Sequence, residues 1–237
     1  MQIIEFEESI KPVEYHDTLN SKLWANNTLI TEVRYKLMAI AMHFAKFLNV
    51  PKLNLRDITI SGSNAAYGYA ESSDLDLHLV VDMPKDRPEL LELYTSKKNE
   101  YNFTHKITVK GIDVELYVQD VQQPHRSAGI YSIFNDRWIS KPKHQPPTIR
   151  DQDVMSKARN YSAKINAAMR ANDLNTARET MSDIRRLRQA GLEQGGEYSV
   201  ENLAFKLLRA RGKIDKFRRH INKLQSAELS LGEHNES

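Results

Sequence analysis

The sequence predicts an α+β protein, with strands and helices mixed in its front half and helices alone in its back half. Three features predict this: an apolar stripe at helical spacing near the N-terminus, a strand-like alternation at 74–81, and helical periodicity beyond a proline-rich segment. At 237 residues the chain is long enough for one large domain, or for one compact domain with a helical extension.

The front half opens with a predicted helix over residues 17–49, ended by Pro51. Its apolar residues recur at three- and four-residue steps and are Leu23, Leu29, Val33, Leu37, Ile40, Ala41, Phe44 and Leu48. A short strand, Ile58–Ile60, then leads into a Gly/Ser turn. The strand over 74–81 follows, because polar and apolar residues alternate there.

A second helix is predicted over Glu89–Glu100, with Leu90, Leu91 and Leu93 facing inward. Two further strands, His105–Val109 and Gly111–Val118, flank Lys110-Gly111, and this spacing predicts a hairpin. On the second of these strands the apolar face is Val114, Leu116 and Val118, and the other face is Asp113, Glu115 and Tyr117.

The domain prediction has three parts: a first domain over 1–139, a linker over 140–148, and a helical domain over 149–237. The linker is predicted from SKPKHQPPT, which has three prolines in nine residues. Helices are expected at 151–171, 173–190 and 199–225, with Asp173 and Ser199 as N-caps and glycines as stops.

Charge is distributed unevenly along the chain. Residues 1–139 hold 15 Lys+Arg against 19 Asp+Glu, whereas residues 140–237 hold 19 against 12. A basic back half indicates either a polyanionic partner, such as RNA or a nucleotide triphosphate, or ordinary solvated helix surfaces. The basic clusters are Arg185, Arg186, Arg188, Arg209, Arg211, Lys213, Lys216, Arg218 and Arg219.

Several classes of function are excluded or disfavoured. The absence of cysteine excludes disulfides and thiolate chemistry and favours a reducing, cytoplasmic location. The N-terminus lacks the pattern of a signal peptide, and no stretch approaches the roughly 18 apolar residues of a membrane span, so we expect no membrane partner. Nucleotide-binding P-loop, nucleophile-elbow and HExxH patterns are missing.

Two carboxylates, Asp74 and Asp76, carry the strongest chemical signal. Spaced i, i+2 on a strand, they point to one face, about 7 Å apart or less. Two acids this close are costly without a cation, and Mg²⁺ is well suited because it prefers oxygen ligands and few carboxylates. The alternative is a solvated acidic face at the edge of a sheet.

The Gly62-Ser63 turn precedes these acids and follows a strand. Such a turn presents backbone N–H groups and a hydroxyl, and these groups bind phosphate oxygens without adding charge. Carboxylates that hold a metal beside a turn that holds phosphates form the arrangement that phosphoryl-type transfer needs.

Gly62-Ser63 and, beginning ten positions after Ser63, Ser73-Asp74-Leu75-Asp76-Leu77 together resemble the signature of the DNA polymerase β nucleotidyltransferase superfamily. The resemblance covers roughly residues 55–120. It implies a small mixed β-sheet flanked by helices, two Mg²⁺ ions (Mn²⁺ being an alternative), an NTP donor and release of pyrophosphate. Gly62 and Ser63 match the phosphate-binding pair, and Asp74 and Asp76 match the paired metal ligands.

The resemblance also implies a third carboxylate on a later strand, either Asp113 or Glu115. We favour Glu115 because it lies between apolar neighbours, where a carboxylate needs a metal. His78 has two interpretations, a group near the metal or a packed strand residue. Tyr67 and Tyr69 likewise either stack on a nucleobase or pack within the domain.

The segments LNSKLW, EVRYKLMAIAMHF and YSIFNDRWISKP resemble predicted nucleotidyltransferases encoded by large tailed phages. The expected activity is transfer of an NMP to an acceptor, with RNA or a nucleotide favoured by the basic helices. Two alternatives remain open: a nucleotidyltransferase-fold module that binds nucleotide or RNA without turnover, and pyrophosphoryl transfer. The sequence specifies neither the base nor the oligomeric state.

Overall fold

The structure is a computed structural model that describes residues 14–50, 53–71, 73–84, 86–87, 89–124, 127–146 and 148–231. These residues form two compact units, one made of residues up to Pro146 and the other of residues 148–231. The first is a mixed α/β unit and the second is entirely helical, so the predicted α+β class is confirmed. The predicted linker, 140–148, stays a prediction.

A short β-hairpin replaces the first half of the predicted N-terminal helix. Strands β1 (Trp24–Ala25) and β2 (Thr28–Leu29) pair around Asn26 and Asn27, which both have positive φ. Asparagine tolerates this conformation better than most residues, so the two asparagines form the turn. The prediction of one helix over 17–49 is therefore wrong in its first half.

The hairpin is held by tryptophan contacts that are distant in sequence. The Trp24 indole N–H donates to the backbone oxygen of Asn64 at 2.8 Å, and the Trp138 indole N–H donates to that of Asn27 at 2.7 Å. The two indole rings stack with centroids 4.7 Å apart. Leu23 and Leu29 enter the core from this hairpin. Their spacing therefore resembled the apolar stripe of a helix, although the segment is not helical.

Helix α1 (Thr31–Leu48) follows the hairpin and ends at Asn49, whose φ of 51° closes the last turn. Pro51, which was expected to end this helix, lies outside the described residues. The buried face of α1 consists of Val33, Leu37, Ile40, Ala41, Phe44 and Leu48, which are the residues of the predicted stripe from position 33 onward. This face packs on the central sheet.

In the described part of the chain the sheet has six strands: β3 (Leu55–Ser61), β4 (Leu75–Val81), β5 (Thr108–Val109), β6 (Ile112–Asp120), β7 (Ile130–Ser132) and β8 (Arg137–Ser140). Their order across the sheet is β5-β6-β4-β3-β7-β8. Only β4 and β6 pair in parallel, and the other neighbours are antiparallel. The sheet is therefore small and mixed, as the family resemblance implies, although β7 and β8 were not predicted.

Alternation along β4 separates the two faces of the sheet. Leu75, Leu77, Leu79 and Val81 are buried, and the residues between them are half-exposed. In β6, Ile112, Val114 and Leu116 are buried on the same side. One sheet face thus packs into the core, which leaves alternate positions on the other face for polar side chains.

Helix α2 (Glu89–Thr104) connects the two parallel strands and packs against β6, and its buried residues are Tyr94 and Tyr101. Leu90 is half-buried against the core, as predicted, but Leu91 and Leu93 are 44% and 41% exposed, so their predicted inward orientation is wrong. Tyr94 and Tyr101 are buried instead, so the buried face of α2 lies on a different side of the helix from Leu91 and Leu93.

The second unit contains four helices: α3 (Asp151–Ala171), α4 (Leu174–Gly195), α5 (Val200–Ala210) and α6 (Lys213–Leu229). The predicted bounds of α3 are confirmed, and Asp173 caps α4 by accepting the Thr176 N–H at 2.7 Å. Ser199 lies at the N-cap position of α5, but its hydroxyl makes no capping bond. The single helix predicted over 199–225 is wrong, because Gly212 at φ 67° breaks it.

This second unit has a core of its own, to which all four helices contribute. Its fully buried side chains include Val154 and Ile165 from α3, Ile184 from α4, Leu208 from α5 and Phe217 from α6. None of the described helices is both long enough and apolar enough to cross a bilayer.

Replacing Leu77 with alanine should destabilise the first unit by about 2–5 kcal/mol, because Leu77 is fully buried at the centre of β4. Leu91→Ala, the same truncation at an exposed position of α2, should cost less than about 1 kcal/mol. Urea unfolding followed by tryptophan fluorescence measures this unit alone, since both tryptophans, Trp24 and Trp138, lie in it. Equal losses for the two variants would contradict the packing described.

Candidate active site

A tight turn at the end of β3 forms one wall of the candidate site. Gly62 has φ 76° and ψ −163°, a backbone region that is open essentially to glycine alone. A short 3₁₀ turn, Ser63–Ala65, follows and is closed by bonds from the Ala65 N–H to the Gly62 oxygen and from the Ala66 N–H to the Ser63 oxygen. The sequence therefore needs glycine at position 62 for its conformation.

Glycine is required at position 62 for a second reason, the approach of a carboxylate. A Cβ atom built on Gly62 would lie 2.1 Å from the Asp76 Oδ2 atom, far inside van der Waals contact. The Asp76 carboxylate therefore lies directly against the turn backbone. The turn and the acid predicted from sequence form one local site, although Asp76 lies fourteen positions after Gly62 in the sequence.

A row of three polar residues crosses the sheet at this point. Ser61 on β3 pairs with Asp76 on β4, and Asp76 pairs with Glu115 on β6. Paired residues on neighbouring strands have Cα atoms about 4.5–5.5 Å apart and side chains on the same face. Asp76 and Glu115, both half-exposed, thus lie beside each other on the sheet face opposite the apolar core.

Asp74 lies one residue before β4 and is half-exposed. The buried Leu75 between Asp74 and Asp76 is consistent with the two acids lying on the same side of the chain. Asp74 is held through its backbone, because its carbonyl oxygen accepts a hydrogen bond from the Asn64 side-chain amide at 2.9 Å.

Asn64 organises the site and was missed by the sequence analysis. Its side chain is almost fully buried, and its amide donates to the backbone oxygens of Ser73 and Asp74 while its side-chain oxygen accepts from Asn20. Asn64 therefore ties the Gly-Ser turn to the start of β4. A short amide directly after Gly62-Ser63 was the available signal, but its partners are set by tertiary structure.

Ser127 is a second residue that the sequence did not indicate. Its hydroxyl accepts the Gly62 backbone N–H at 3.0 Å. The Gly62 backbone N–H, which was predicted to donate a hydrogen bond to phosphate, thus already donates one to Ser127. A phosphate at the turn would contact Ser63, which is half-exposed, or would displace the Ser127 hydroxyl.

The structure also separates the two choices for the third carboxylate. Asp113 is exposed, pairs with Thr108 on β5, and precedes the first β4–β6 pair, Leu75 with Val114. Glu115 is the direct partner of Asp76. The geometry thus favours Glu115 as the acid beside Asp76.

Within the described part of the chain, no group of three or more His, Asp or Glu side chains is arranged as a metal site. Magnesium does not require one, because it commonly binds through one or two carboxylates together with substrate phosphates and water. The pair formed by Asp76 and Glu115 has the donor chemistry that suits this ion. Asp74 is held next to that pair by the Asn64 anchor.

His78, Tyr67 and Tyr69 pack within the domain. The His78 Nε2 atom lies 3.0 Å from the Ser61 hydroxyl, and its ring stacks on Tyr117. Tyr69 stacks on His16 with ring centroids 3.9 Å apart, and burial raises the pKa of its hydroxyl. Tyr67 makes an edge contact with His144. These contacts favour the packing interpretation of all three residues.

Comparison with known proteins adds little. No protein-family model matches the chain, and no curated protein matches it either. Among solved structures it is similar to a STING-associated CdnE c-di-GMP synthase from Capnocytophaga granulosa, at 13% identity over 84% of each chain, with a TM-score of 0.25. The proposed function below therefore rests on the chain's own residues.

Gly62→Ala should destabilise the protein more than Gly111→Ala, a matched control. Both glycines have positive φ, but a Cβ at Gly111 would meet nothing within 4 Å. Gly111→Ala should cost about 1–2 kcal/mol from conformation alone. Gly62→Ala should cost roughly 1–3 kcal/mol more, because the Asp76 carboxylate must move.

Urea unfolding of the two glycine variants measures the difference directly. Equal costs would show that Asp76 does not lie against the turn backbone.

Proposed function

We propose that this protein is a metal-dependent nucleotidyltransferase that transfers an NMP from an NTP to an acceptor and releases pyrophosphate. The observation that carries the proposal is the row Ser61–Asp76–Glu115, with the Asp76 carboxylate lying against the Gly62 backbone. A phosphate-binding turn and an acidic pair in direct contact are the two parts that this chemistry requires.

The electrostatics of the acidic pair support a bound cation. Carboxylates on directly paired strand residues repel each other, and a divalent ion bound by both would lower that repulsion. Carboxylate oxygens select hard divalent ions, so Mg²⁺ is the expected metal, with two ions in the active complex and Mn²⁺ as a substitute.

The three acids have distinct roles in the proposal. Asp74 and Asp76 would hold both ions, and Glu115 would hold one of them and accept the proton of the attacking hydroxyl. Bound Mg²⁺ would supply positive charge that offsets the charge of the phosphoryl oxygens and lowers the pKa of the attacking hydroxyl. The acceptor oxygen bonds to the α-phosphorus, the bond from that phosphorus to the bridging oxygen breaks, and pyrophosphate leaves.

The acceptor in this proposal is RNA or a nucleotide. Residues 140–237 carry 19 basic against 12 acidic side chains, which favours an anionic acceptor over a neutral small molecule. Ser63, half-exposed at the start of the 3₁₀ turn, is the residue of the Gly-Ser pair best placed to contact the donor's phosphates.

Asp76→Asn should abolish pyrophosphate release, because it removes a charge that the metal requires while keeping the size of the side chain. Glu115→Gln should reduce release by about 100-fold or more, the scale expected for loss of a general base. Asp113→Asn is the matched control, one step away on the same strand face, and should retain most activity. The assay uses each labelled NTP with Mg²⁺ or Mn²⁺ and total RNA.

Folding should survive these changes, since each replaces a carboxylate with an amide of nearly the same size at a position that is at least partly exposed. Thermal melts of the three variants test this. Greater loss of activity in Asp113→Asn than in Glu115→Gln would reverse the assignment of the third acid.

Two outcomes would replace the proposed activity. RNA or nucleotide binding without pyrophosphate release under any condition would identify a binding module that lacks turnover. A product that carries two added phosphates would identify pyrophosphoryl transfer.

A further inference from the structure

A groove of about 240 Å³ runs between helices α4 and α6 of the helical unit. Its lining combines three arginines, two apolar residues and two small polar residues: Arg178, Met181, Ser182 and Arg185 from α4, and Arg218, Ile221 and Asn222 from α6. On each helix these residues follow i, i+3, i+4 spacing, so they form one face of that helix.

The arginines of the groove are open to solvent and lie on both of its sides. Arg178 and Arg185 are seven residues apart on α4, which places them two turns apart along one face, about 10.5 Å. Both are exposed, and within the described residues neither makes an ion pair. Arg218 lies on α6 and is 3.4 Å from Asp215, in a pair that is half-exposed on both sides.

These contacts distinguish Arg185 from its neighbours in sequence. Arg186 pairs with Asp183 at 2.9 Å, and Arg188 donates to Asn202 and lies over the Phe205 ring. Arg186 and Arg188 therefore contact residues of the helical unit, whereas Arg185 lines the groove.

The floor of the groove is apolar. Met181 is 4% exposed, and Ile221 packs against the helical core. Ser182 and Asn222 add hydrogen-bonding groups to the rim. Among the described residues that line the groove none is acidic, so a ligand with several negative charges and a flat apolar surface matches its chemistry.

We propose that this groove binds single-stranded nucleic acid, with the three arginines on its phosphates and a base against Met181 and Ile221. A single strand is favoured over a duplex because a duplex keeps its base faces stacked, whereas the groove offers an apolar floor between its arginines. An acidic peptide could form ion pairs with the arginines, but it has no flat base to pack against Met181 and Ile221. Binding here is independent of the proposed nucleotidyl transfer.

The test is fluorescence anisotropy with a labelled 20-nucleotide single strand, as RNA and as DNA of the same sequence, and the full-length protein. The double variant R178Q/R185Q should weaken binding on the order of ten-fold or more, since two charge-assisted contacts are lost. The slope of log Kd against log salt should fall by about 1.4, or 0.7 for each lost phosphate contact.

The matched control is K164Q/R170Q, which removes the same charge from exposed positions of α3, away from the groove. It should change Kd by less than about two-fold, because screened distant charges contribute little. R178Q/R185Q should leave the rate of pyrophosphate release with a nucleotide acceptor unchanged, because neither arginine belongs to the proposed catalytic site, so loss of binding and loss of turnover can be told apart. Equal Kd values for RNA and DNA would indicate that the groove contacts phosphates and base faces. A lower Kd for RNA would indicate an additional contact to the 2′-hydroxyl.

Three results would overturn the proposal. Equal weakening by the two double variants would show that net charge acts without a site. Absence of binding at micromolar protein in low salt would show that the groove has no nucleic-acid ligand. Displacement of the strand by poly-glutamate at lower concentration than by unlabelled RNA would assign the groove to an acidic peptide.

Discussion

Two acids held beside each other on neighbouring strands are the constraint on which the proposed function depends. Asp76 and Glu115 are direct partners in the parallel β4–β6 pair, and only the register of that pair keeps them together. The register is fixed by the opposite face, where Leu75, Leu77 and Leu116 are buried under the helices. A shift of one residue would move the acids into the core, so apolar packing on one face determines the chemistry on the other.

The turn beside these acids is held in place by Gly62 and Asn64. Gly62 provides a conformation that other residues rarely adopt and the space that the Asp76 carboxylate occupies. Asn64, two residues later, binds the backbone at Ser73 and Asp74 and so fixes the distance between the turn and the acids. In the proposed function these contacts would pre-organise the site before a ligand binds, which is the main contribution a protein makes to phosphoryl-type chemistry.

Structural features that depend on residues close in sequence were predicted correctly. The alternation in β4, the Lys110-Gly111 hairpin and the bounds of α3 all follow from periodicity or turn preference within a few residues. The failures involve long-range contacts. The β1–β2 hairpin depends on Trp24 and Trp138, which are 114 residues apart in sequence, and Leu91 is exposed because tyrosines fill the core beneath α2. Asn64 and Ser127 were missed for the same reason, since their partners are set by the folded chain.

The proposed function requires that a divalent ion binds between Asp76 and Glu115. A crystal of the protein with Mn²⁺ and a non-hydrolysable NTP, measured for the anomalous scattering of manganese, tests it most directly. The account predicts an anomalous peak within about 2.0–2.4 Å of oxygens from both carboxylates, with the triphosphate beside Ser63. A nucleotide bound elsewhere, or manganese that contacts neither acid, would contradict it.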